Sequence, residues 1–404
     1  MATDPSISSN TQSLLVQCLA LWDQGKKKSA VDTLIDALNN APEPQEEVRL
    51  LELLGYLVSE LGDYPSALRL YQRALTLKAG KEHSLREGCL LLLVRMERFE
   101  EAEKMLRELE NTSTLNSNMF DIATRLFFKQ KRFEEAKTYG IKSLTLKDRE
   151  ACEPPAFVSC SPEKASTLLG RSDRDLRNYV AFSLFGDNPR YLRGILDNLL
   201  SIEEFYPDWQ MLVYADSSVP DDLLGELERN NAKIEMRPSN CPGHEKLLWR
   251  FEVSTREDCG RFLVRDADSV ITKREMKLVR RWIASDKLFH VIRDWWSHSE
   301  LILAGLWGGV AGNLPELEKL VSTYKSNDHP NMHFDQHLLR ATVWPIIREN
   351  CMTHDLCFEY RSLGSLRPKQ WDSHHHIGSN LFAARQSEQN ERLQKFRHVK
   401  SLKL

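Results

Sequence analysis

The residues with the clearest chemical potential are two aspartates, Asp266 and Asp268, which follow the apolar run Phe262-Leu263-Val264 with one residue between them. Carboxylates at positions i and i+2 beyond a strand can both reach one cation, and the hard ions Mg²⁺ and Mn²⁺ prefer oxygen ligands. A metal held in this way can also bind diphosphate oxygens and offset the charge of a departing diphosphate. Aspartates with this spacing also occur in solvated turns and as helix caps, so the pair alone does not decide its role.

Two basic residues, Lys246 and Arg250, are four positions apart on a segment with a helical pattern that runs to Phe251. Residues at this spacing lie on one face of a helix. We therefore expect the two cations to face a diphosphate together, with a solvated basic edge as the alternative.

The elements that must position these residues alternate between strand and helix from residue 179 onwards. Short apolar runs rich in β-branched and aromatic residues predict strands at residues 179–185, 210–214, 233–236, 261–264 and 289–292. Residues 191–205 and 220–230 have helical periodicity. This alternation predicts a doubly wound, mainly parallel α/β sheet, in which ligands lie beyond the carboxyl ends of the strands.

The first 150 residues have a different pattern, an internal repeat. Alanines that open a second helix recur at Ala30, Ala67, Ala102 and Ala136, with spacings of 37, 35 and 34 residues. These spacings, and the echo of Arg98-Phe99-Glu100-Glu101-Ala102 as Arg132-Phe133-Glu134-Glu135-Ala136, resemble tetratricopeptide repeats, whose period is about 34 residues. A generic helical bundle is the alternative. Such an array either binds a protein partner on its concave face or packs on the second domain.

Four segments follow from these patterns. Pro154-Pro155 and Pro162 break the helical rhythm and mark a linker. The predicted segments are a repeat array at 11–147, a linker at 148–178, an α/β domain at 179–385 and a C-terminal tail at 386–404.

The α/β segment resembles a known enzyme family in three motifs. They are Ser183-Leu184-Phe185-Gly186-Asp187-Asn188-Pro189-Arg190-Tyr191, Val264-Arg265-Asp266-Ala267-Asp268-Ser269 and Gly305-Leu306-Trp307-Gly308-Gly309. In this order they resemble bacterial glycosyltransferase-like proteins of the GT-A type. The resemblance implies a GT-A fold and transfer of a sugar from a nucleotide-sugar donor, with Mn²⁺ or Mg²⁺, to an unknown glycan, protein or small-molecule acceptor.

The resemblance also implies roles for individual residues. Asp335, followed by Gln336, is similar to an acidic motif near the reacting sugar carbon, although a helix-capping aspartate would look the same. Asp294 is a second catalytic candidate, near the acceptor. The expected donor-binding residues are Gly186, Asp187, Lys246, Arg250 and Arg265, with an ordinary turn capped by Asp187 as the alternative for the first two. The expected acceptor-binding residues are Gly305, Trp307 and Gln336, together with Trp295 and Trp296, whose aromatic faces either stack on a sugar ring or pack inside the protein.

A third metal ligand is expected from the cluster His374-His375-His376. His376 is preferred because Ile377-Gly378 follows it directly, which is similar to the family's histidine-glycine segment. The chain departs from the family by lacking the Lys-Pro-Trp that usually follows. Asp266, Asp268 and His376 are therefore the predicted ligands of Mn²⁺ or Mg²⁺.

Bulk properties narrow the class of protein. A formal net charge of −3 and a sequence pI of about 6.5 do not favour nucleic-acid binding. The sequence shows no secretory signal and no stretch near the roughly 20 apolar residues of a membrane span. Its eight cysteines form no CxxC pair, which favours reduced thiols in the cytosol.

Two rival functions are also compatible with the sequence. One is a non-catalytic tetratricopeptide interaction protein with a degenerate transferase-like domain, which retention of both aspartates disfavours. The other is a nucleotidyltransferase on a related sheet. That enzyme would be expected to have a glycine-rich phosphate loop after the first strand, where this chain has only Gly186.

Overall fold

A computed structural model describes residues 7–40, 43–77, 83–112, 115–151, 176–324, 333–364, 366–367, 371–382 and 385–402. The chain divides into two compact units, Met1–Ser143 and Leu144–Leu404. Most of the predicted linker, residues 152–175, lies outside the described residues.

The first unit is built from helices, most of which pack against the next helix in the chain. Its helices, the last of which continues into the second unit, are α1 (Ser9–Asp23), α2 (Lys27–Asn39), α3 (Pro44–Glu60), α4 (Tyr64–Leu77), α5 (His83–Arg95), α6 (Phe99–Thr112), α7 (Ser117–Lys129) and α8 (Phe133–Glu150). The alanines that defined the repeat, Ala30, Ala67, Ala102 and Ala136, are all fully buried. Small side chains at these positions let paired helices approach closely, and the stack buries a continuous core.

The described residues of the second unit form a seven-stranded sheet in the order β3-β2-β1-β4-β6-β5-β7. Its strands are β1 (Arg177–Leu184), β2 (Trp209–Ala215), β3 (Lys233–Met236), β4 (Cys259–Arg265), β5 (Phe289–Arg293), β6 (Leu306–Val310) and β7 (Cys351–Asp355). Strand β6 runs antiparallel to β4 and β5, and the other pairings are parallel. The prediction of an α/β unit with a mostly parallel sheet is confirmed. Strands β6 and β7 were not predicted, because β6 contains two glycines and β7 is short and partly polar.

Helices connect and cover these strands. They are α9 (Pro189–Phe205), α10 (Asp221–Arg229), α11 (Gly243–Lys246), α12 (Lys273–Ile283), α13 (Leu317–Thr323), α14 (Phe334–Leu338), α15 (Trp344–Ile347) and α16 (Gln386–Arg392). A 3₁₀ helix spans Trp249–Thr255, and a π-helical segment, Leu339–Val343, follows α14. Helix α9 begins at its Asn188 cap, whose side chain accepts from the Arg190 N–H, and it buries an apolar face against the sheet.

Residues 386–402 belong to the second unit rather than to a free tail. Gln389 Nε2 donates to Asp197 Oδ2 on α9 at 2.6 Å, and Arg392 Nε donates to Asp197 Oδ1 at 3.1 Å. Leu393 and Phe396 are fully buried. The sequence predicts that the domain ends at residue 385, because the segment that follows is mainly polar and charged. Its few apolar residues are too widely spaced to indicate that it packs on the domain.

Among the helices that the structure describes, none combines the length and apolar content that a membrane span requires.

Candidate functional site

A cavity of about 460 Å³ opens at the carboxyl ends of β1 and β4. The chain passes from β1 to β2 on one side of the sheet and reaches β4 on the other, so this position is the topological switch point where such sheets bind ligands. The residues that line it are Ser183, Leu184, Phe185, Arg190, Tyr191, Leu247, Arg250, Asp266, Ala267, Asp268, Ser269, His298, Leu303, Ala304, Gly305, Leu306, His333, Asp335, Gln336, Gly378 and Asn380.

The loop that carries Asp266 and Asp268 is held tightly by α9. A Cβ added to Gly194 would lie 2.7 Å from the Cα of Asp268, so only glycine allows this close packing. The buried Asn198 donates to the Ala267 carbonyl at 3.2 Å and accepts from the Ile271 N–H at 3.1 Å. These bonds hold the backbone before and after Asp268, and this orients the carboxylates of Asp266 and Asp268.

Arg250 connects this loop to Asp335, an acidic residue on another side of the cavity. Its Nη1 donates to Asp266 Oδ1, and its Nη2 donates to Asp335 Oδ2 at 2.8 Å. The Arg250 backbone N–H donates to Ser183 Oγ at 3.1 Å, which fixes the arginine to the end of β1. Burial raises the pKa of Asp335 in spite of the opposing charge of Arg250. The predicted residues Asp266, Arg250 and Asp335 are thus brought together.

Asp268 has its own basic partner, Arg190, at the start of α9. Arg190 Nε lies 2.6 Å from Asp268 Oδ2. Burial, followed by the neighbouring charge of Asp266, raises the pKa of Asp268 despite this ion pair. The Arg190 side chain is 45% exposed, whereas only 12% of the Asp268 side chain is exposed.

Gly305 directly precedes β6 and lies beside the carboxyl end of β4, where Arg265 pairs with Leu306. A Cβ at this position would lie 2.8 Å from the Asp266 backbone nitrogen and would overlap its carboxylate. A glycine here therefore leaves room for the Asp266 side chain. Gly305 and Gln336, both predicted acceptor-binding residues, line the cavity.

Arg265 lies on the opposite side of β4 from Asp266, within the core. It donates to the Gly305 carbonyl at 2.9 Å and forms an ion pair with the buried Glu275 at 3.2 Å. It does not line the cavity, so the structure does not bring this predicted donor-binding residue to the other candidates.

Lys246 and Arg250 do not share one helical face. Helix α11 ends at Lys246, and Arg250 belongs to the following 3₁₀ helix. Lys246 Nζ pairs at 2.5 Å with Asp216, which directly follows β2, and Lys246 does not line the cavity. Burial would raise the pKa of Asp216, but hydrogen bonds from Lys246 and Ser218 lower it overall.

Gly186 and Asp187, the predicted donor-binding turn after β1, also lie outside the cavity lining. The Gly186 N–H donates to Ser218 Oγ at 2.7 Å, and the Asp187 side chain is exposed.

Asp294, His376 and Trp295 form a separate cluster, in which Asp294 and His376 are buried. Asp294 pairs with Arg274 and accepts from the Ile377 N–H at 2.7 Å. The His376 ring stacks on Trp295 with ring centroids 5.0 Å apart, and burial lowers the pKa of His376 to about 4. None of the three lines the cavity, whereas His298, whose ring meets His376 edge to face, does.

The remaining predicted aromatic residues pack inside the second unit. Trp296 meets Phe358 edge to face, and Trp307 meets Phe251 and Phe262 in the same way. Both tryptophans are buried and neither lines the cavity.

Within the described ranges, no three His, Cys, Asp or Glu side chains are close enough to hold a metal ion among themselves. Asp266 and Asp268 share the cavity, but the structure does not join His376 to them. Any cation at this site would need ligands from a substrate or from water in addition to the two carboxylates.

Several cavity residues escaped the sequence prediction. Arg190 and Tyr191 end the motif at residues 183–191, but the sequence pattern does not mark either as a ligand-binding residue. His298, His333 and Asn380 lack any local signal, because only the folded chain brings their loops to the same edge of the sheet.

Comparison with known proteins identifies the repeats. A family model described as tetratricopeptide repeat matches residues 8–123, while no curated protein sequence matches the chain. Among similar solved structures, MamA from Desulfovibrio magneticus RS-1 is 14% identical, covering 34% of this chain and 76% of that one, with a TM-score of 0.29. The pilF protein of Pseudomonas aeruginosa is 19% identical, covering 36% and 63%, with a TM-score of 0.29.

A mutant O-GlcNAc transferase from Thermobaculum terrenum is 18% identical. The matched region covers 66% of this chain and 47% of the transferase, with a TM-score of 0.38. The family match and the helix pairs agree on the N-terminal part, which is a tetratricopeptide repeat array.

Proposed function

We propose that the second unit transfers a sugar from a nucleotide-sugar donor to an acceptor hydroxyl with the help of Mg²⁺ or Mn²⁺. The observation that carries this proposal is the cavity at the switch point of the sheet, in which Asp266 and Asp268 lie beside two arginines and a third acid. Its volume of about 460 Å³ is within the range of small-molecule sites.

The two carboxylates are suitable ligands for a divalent ion that also binds a diphosphate. Proteins usually bind Mg²⁺ through one or two carboxylates together with substrate phosphates and waters, rather than through a complete protein cage. Asp266 and Asp268 supply that number of carboxylates, and 46% of the Asp266 side chain is exposed. When bound, the metal would offset the negative charge of the departing nucleoside diphosphate.

The basic residues suit the same ligand. Arg190 lies in the first turn of α9, where the N-terminal end of the helix also favours negative charge. Once a diphosphate and its metal occupy the cavity, the exposed Arg190 can release Asp268 and bind a phosphate oxygen. Arg250 is buried and keeps the carboxylates in place.

Asp335 is the acid best suited to the reacting centre. It is buried at the cavity wall, Arg250 fixes its orientation, and the adjacent Gln336 lines the same space. A carboxylate here would stabilise developing positive charge on the sugar or orient the acceptor hydroxyl.

Donor binding tests the proposal directly. Nucleotide sugars would be screened with and without Mn²⁺ for their effect on the unfolding of the second unit, followed by tryptophan fluorescence. Trp22 is the only tryptophan in the first unit, so the signal comes mainly from the second. A donor at 100 times its dissociation constant should stabilise by about 2.7 kcal/mol.

The variant Asp266→Asn/Asp268→Asn should lose the metal-dependent part of this stabilisation. Asp208→Asn/Asp286→Asn is a matched control, because it removes two exposed aspartates that precede strands and so lie at the opposite edge of the sheet. If no donor stabilises the native protein in a metal-dependent way, the non-catalytic interaction protein becomes the better description.

A further inference from the structure

The loop between β5 and β6 brings a histidine to the wall of the cavity that holds Asp266 and Asp268. His298 lines this cavity although only 9% of the residue is exposed. Its position follows from a tight turn, in which the His298 N–H donates to the Trp295 carbonyl at 2.9 Å. Other residues serve the metal, the diphosphate and the reacting centre, so a separate role is needed to explain a buried histidine at this wall.

The His298 ring is held in one tautomer by the backbone just after β5. The Asp294 N–H donates to His298 Nδ1 at 3.0 Å, so Nδ1 carries a lone pair and the proton of the neutral ring lies on Nε2. Burial, followed by the neighbouring His376 ring, lowers the pKa of His298 well below its ordinary value, which agrees with a neutral ring. His298 therefore offers an N–H group at Nε2.

This tautomer excludes two other roles for Nε2. A metal ligand and a general base both need a lone pair, whereas Nε2 of His298 carries the proton. Moving that proton to Nδ1 would set it against the Asp294 N–H, so that two donors would face each other. The hydrogen bond from the backbone thus makes His298 a donor to whatever lies in the cavity.

Nε2 of His298 reaches open space beside Gly378. No group of the described residues accepts from this atom, and it is not enclosed by protein, in contrast to both nitrogens of the fully buried His290. Gly378 also lines the cavity, and its φ of +96° is a conformation that favours glycine. A Cβ on Gly378 would lie 3.7 Å from Nε2, so the missing side chain keeps the approach to this N–H open.

Asp294 holds both sides of this arrangement. Its N–H binds His298, and its carboxylate accepts from the Ile377 N–H at 2.7 Å, which fixes the backbone next to Gly378. The carboxylate is itself paired with Arg274. Asp294 does not line the cavity, so it acts through these neighbours as a positioning residue.

The cavity wall next to His298 is mainly apolar. A Cβ on Gly378 would lie 3.1 Å from Leu306 Cδ1, and Leu303 and Ala304 belong to the same part of the lining. Apolar surface with one neutral, well-oriented donor suits a sugar ring, which presents both C–H groups and hydroxyls. It suits a diphosphate less well, because a diphosphate is bound best by cations and charged hydrogen bonds.

We propose that His298 Nε2 donates a hydrogen bond to a hydroxyl of the transferred sugar and thereby contributes to the choice of that sugar. This inference rests on the proposed function, because it assigns the sugar end of the donor to this wall of the cavity. A site that binds a substrate hydroxyl in this way rejects a sugar that lacks it, since the buried donor is then left without a partner. Arg190, beside Asp268, would bind the diphosphate end of the same molecule.

The experiment compares a nucleotide sugar with its parent nucleoside diphosphate. The probes are UDP-glucose, UDP-galactose, UDP-N-acetylglucosamine and GDP-mannose, together with UDP and GDP. Each is titrated calorimetrically into the full chain at saturating Mn²⁺. The ratio of the dissociation constants of the diphosphate and of the nucleotide sugar measures what the sugar contributes to binding, separately from contacts to the diphosphate.

Two substitutions of His298 separate its two hydrogen bonds. His298→Asn places an amide oxygen near the position of Nδ1, which keeps an acceptor for the Asp294 N–H but removes the donor. His298→Gln places an amide N–H near the position of Nε2. We expect His298→Asn to weaken the nucleotide sugar about tenfold, as for loss of one hydrogen bond, and to leave the nucleoside diphosphate unchanged. His298→Gln should retain more of the sugar's contribution.

His398→Asn is the matched control. His398 also forms a hydrogen bond through a ring nitrogen, to Glu226 at 2.8 Å, but it lies outside the cavity lining, so both probes should bind as they do to the native protein. Equal weakening of both probes by His298→Asn, or no weakening of the nucleotide sugar, would overturn the inference and leave the proposed function standing. If no nucleotide sugar binds the native protein, the proposed function fails and this inference fails with it.

Discussion

Arg250 and Asp335 form a buried ion pair that connects segments 85 residues apart in the chain. Nη2 of the arginine lies 2.8 Å from Oδ2 of the aspartate, and only 3% and 6% of the two side chains are exposed. The same guanidinium also holds Asp266. One cation therefore sets the positions of two acids on different sides of the cavity.

Removing this cation should destabilise the second unit. Arg250→Met leaves Asp335 buried without its partner, and breaking a buried pair in this way costs about 3–5 kcal/mol. Urea unfolding followed by tryptophan fluorescence measures the loss. The double variant Arg250→Met/Asp335→Asn should recover part of it, because the uncompensated carboxylate is gone. Equal stability of Arg250→Met and the native protein would show that the ion pair has no structural role.

The sequence predicted those parts of the site that depend on local pattern. Asp266 and Asp268 follow an apolar strand, so their position at a carboxyl end was predictable. The repeat array was also predictable, because small residues recur at a fixed period. The first prediction rests on neighbours within a few residues in the chain, and the second rests on a spacing of 34 to 37 residues that recurs along it.

Contacts between distant segments were not predictable. Asn198 holds the Asp266–Asp268 loop from a helix about 70 residues earlier, and its sequence surroundings do not mark it as special. The antiparallel strand β6 places Gly305 beside Asp266, although the run of glycines around it does not resemble a strand. Arg265 is part of the motif that contains both aspartates, which predicts that it binds the donor. Side chains alternate between the two faces of β4, however, and this alternation directs Arg265 into the core.

Gly305→Ala should displace the Asp266 carboxylate, because the added Cβ would overlap it. We expect weaker Mn²⁺-dependent donor binding, measured by isothermal titration calorimetry. Gly225→Ala on α10 is the matched control, since its Cβ would meet only the end of Arg229 at 3.5 Å. Alanine in a helix should stabilise that variant by about 0.5–1 kcal/mol and leave binding intact. Undiminished donor binding by Gly305→Ala would contradict the positioning of Asp266 by this close approach.

Arg190→Gln should separate metal binding from diphosphate binding. Because Arg190 pairs with Asp268 in the free protein, its removal should let Mn²⁺ alone bind more tightly. The same change removes a cation from the proposed diphosphate site, so a nucleoside diphosphate with Mn²⁺ should bind more weakly. Calorimetric titration of the metal alone, and then of the nucleotide at saturating metal, measures the two effects. Weaker binding of both ligands would show that Arg190 does not compete with the metal.

Stability of the second unit should fall in acid, below about pH 4.3, because of Glu300. Its carboxylate is buried and lies 3.4 Å from Lys147 Nζ and 3.1 Å from Arg340 Nη1. Burial alone would raise the pKa of Glu300, but the two cations lower it overall. A pKa that is lower in the folded state stabilises the protein above the unfolded value of about 4.3, and this contribution is lost as pH falls through the folded value. Glu300→Gln should therefore be less stable at pH 7 and show a flatter dependence on acid, in melting curves followed by tryptophan fluorescence. The exposed Glu316→Gln should keep the native dependence, and an identical acid profile for native protein and Glu300→Gln would show that Glu300 does not contribute.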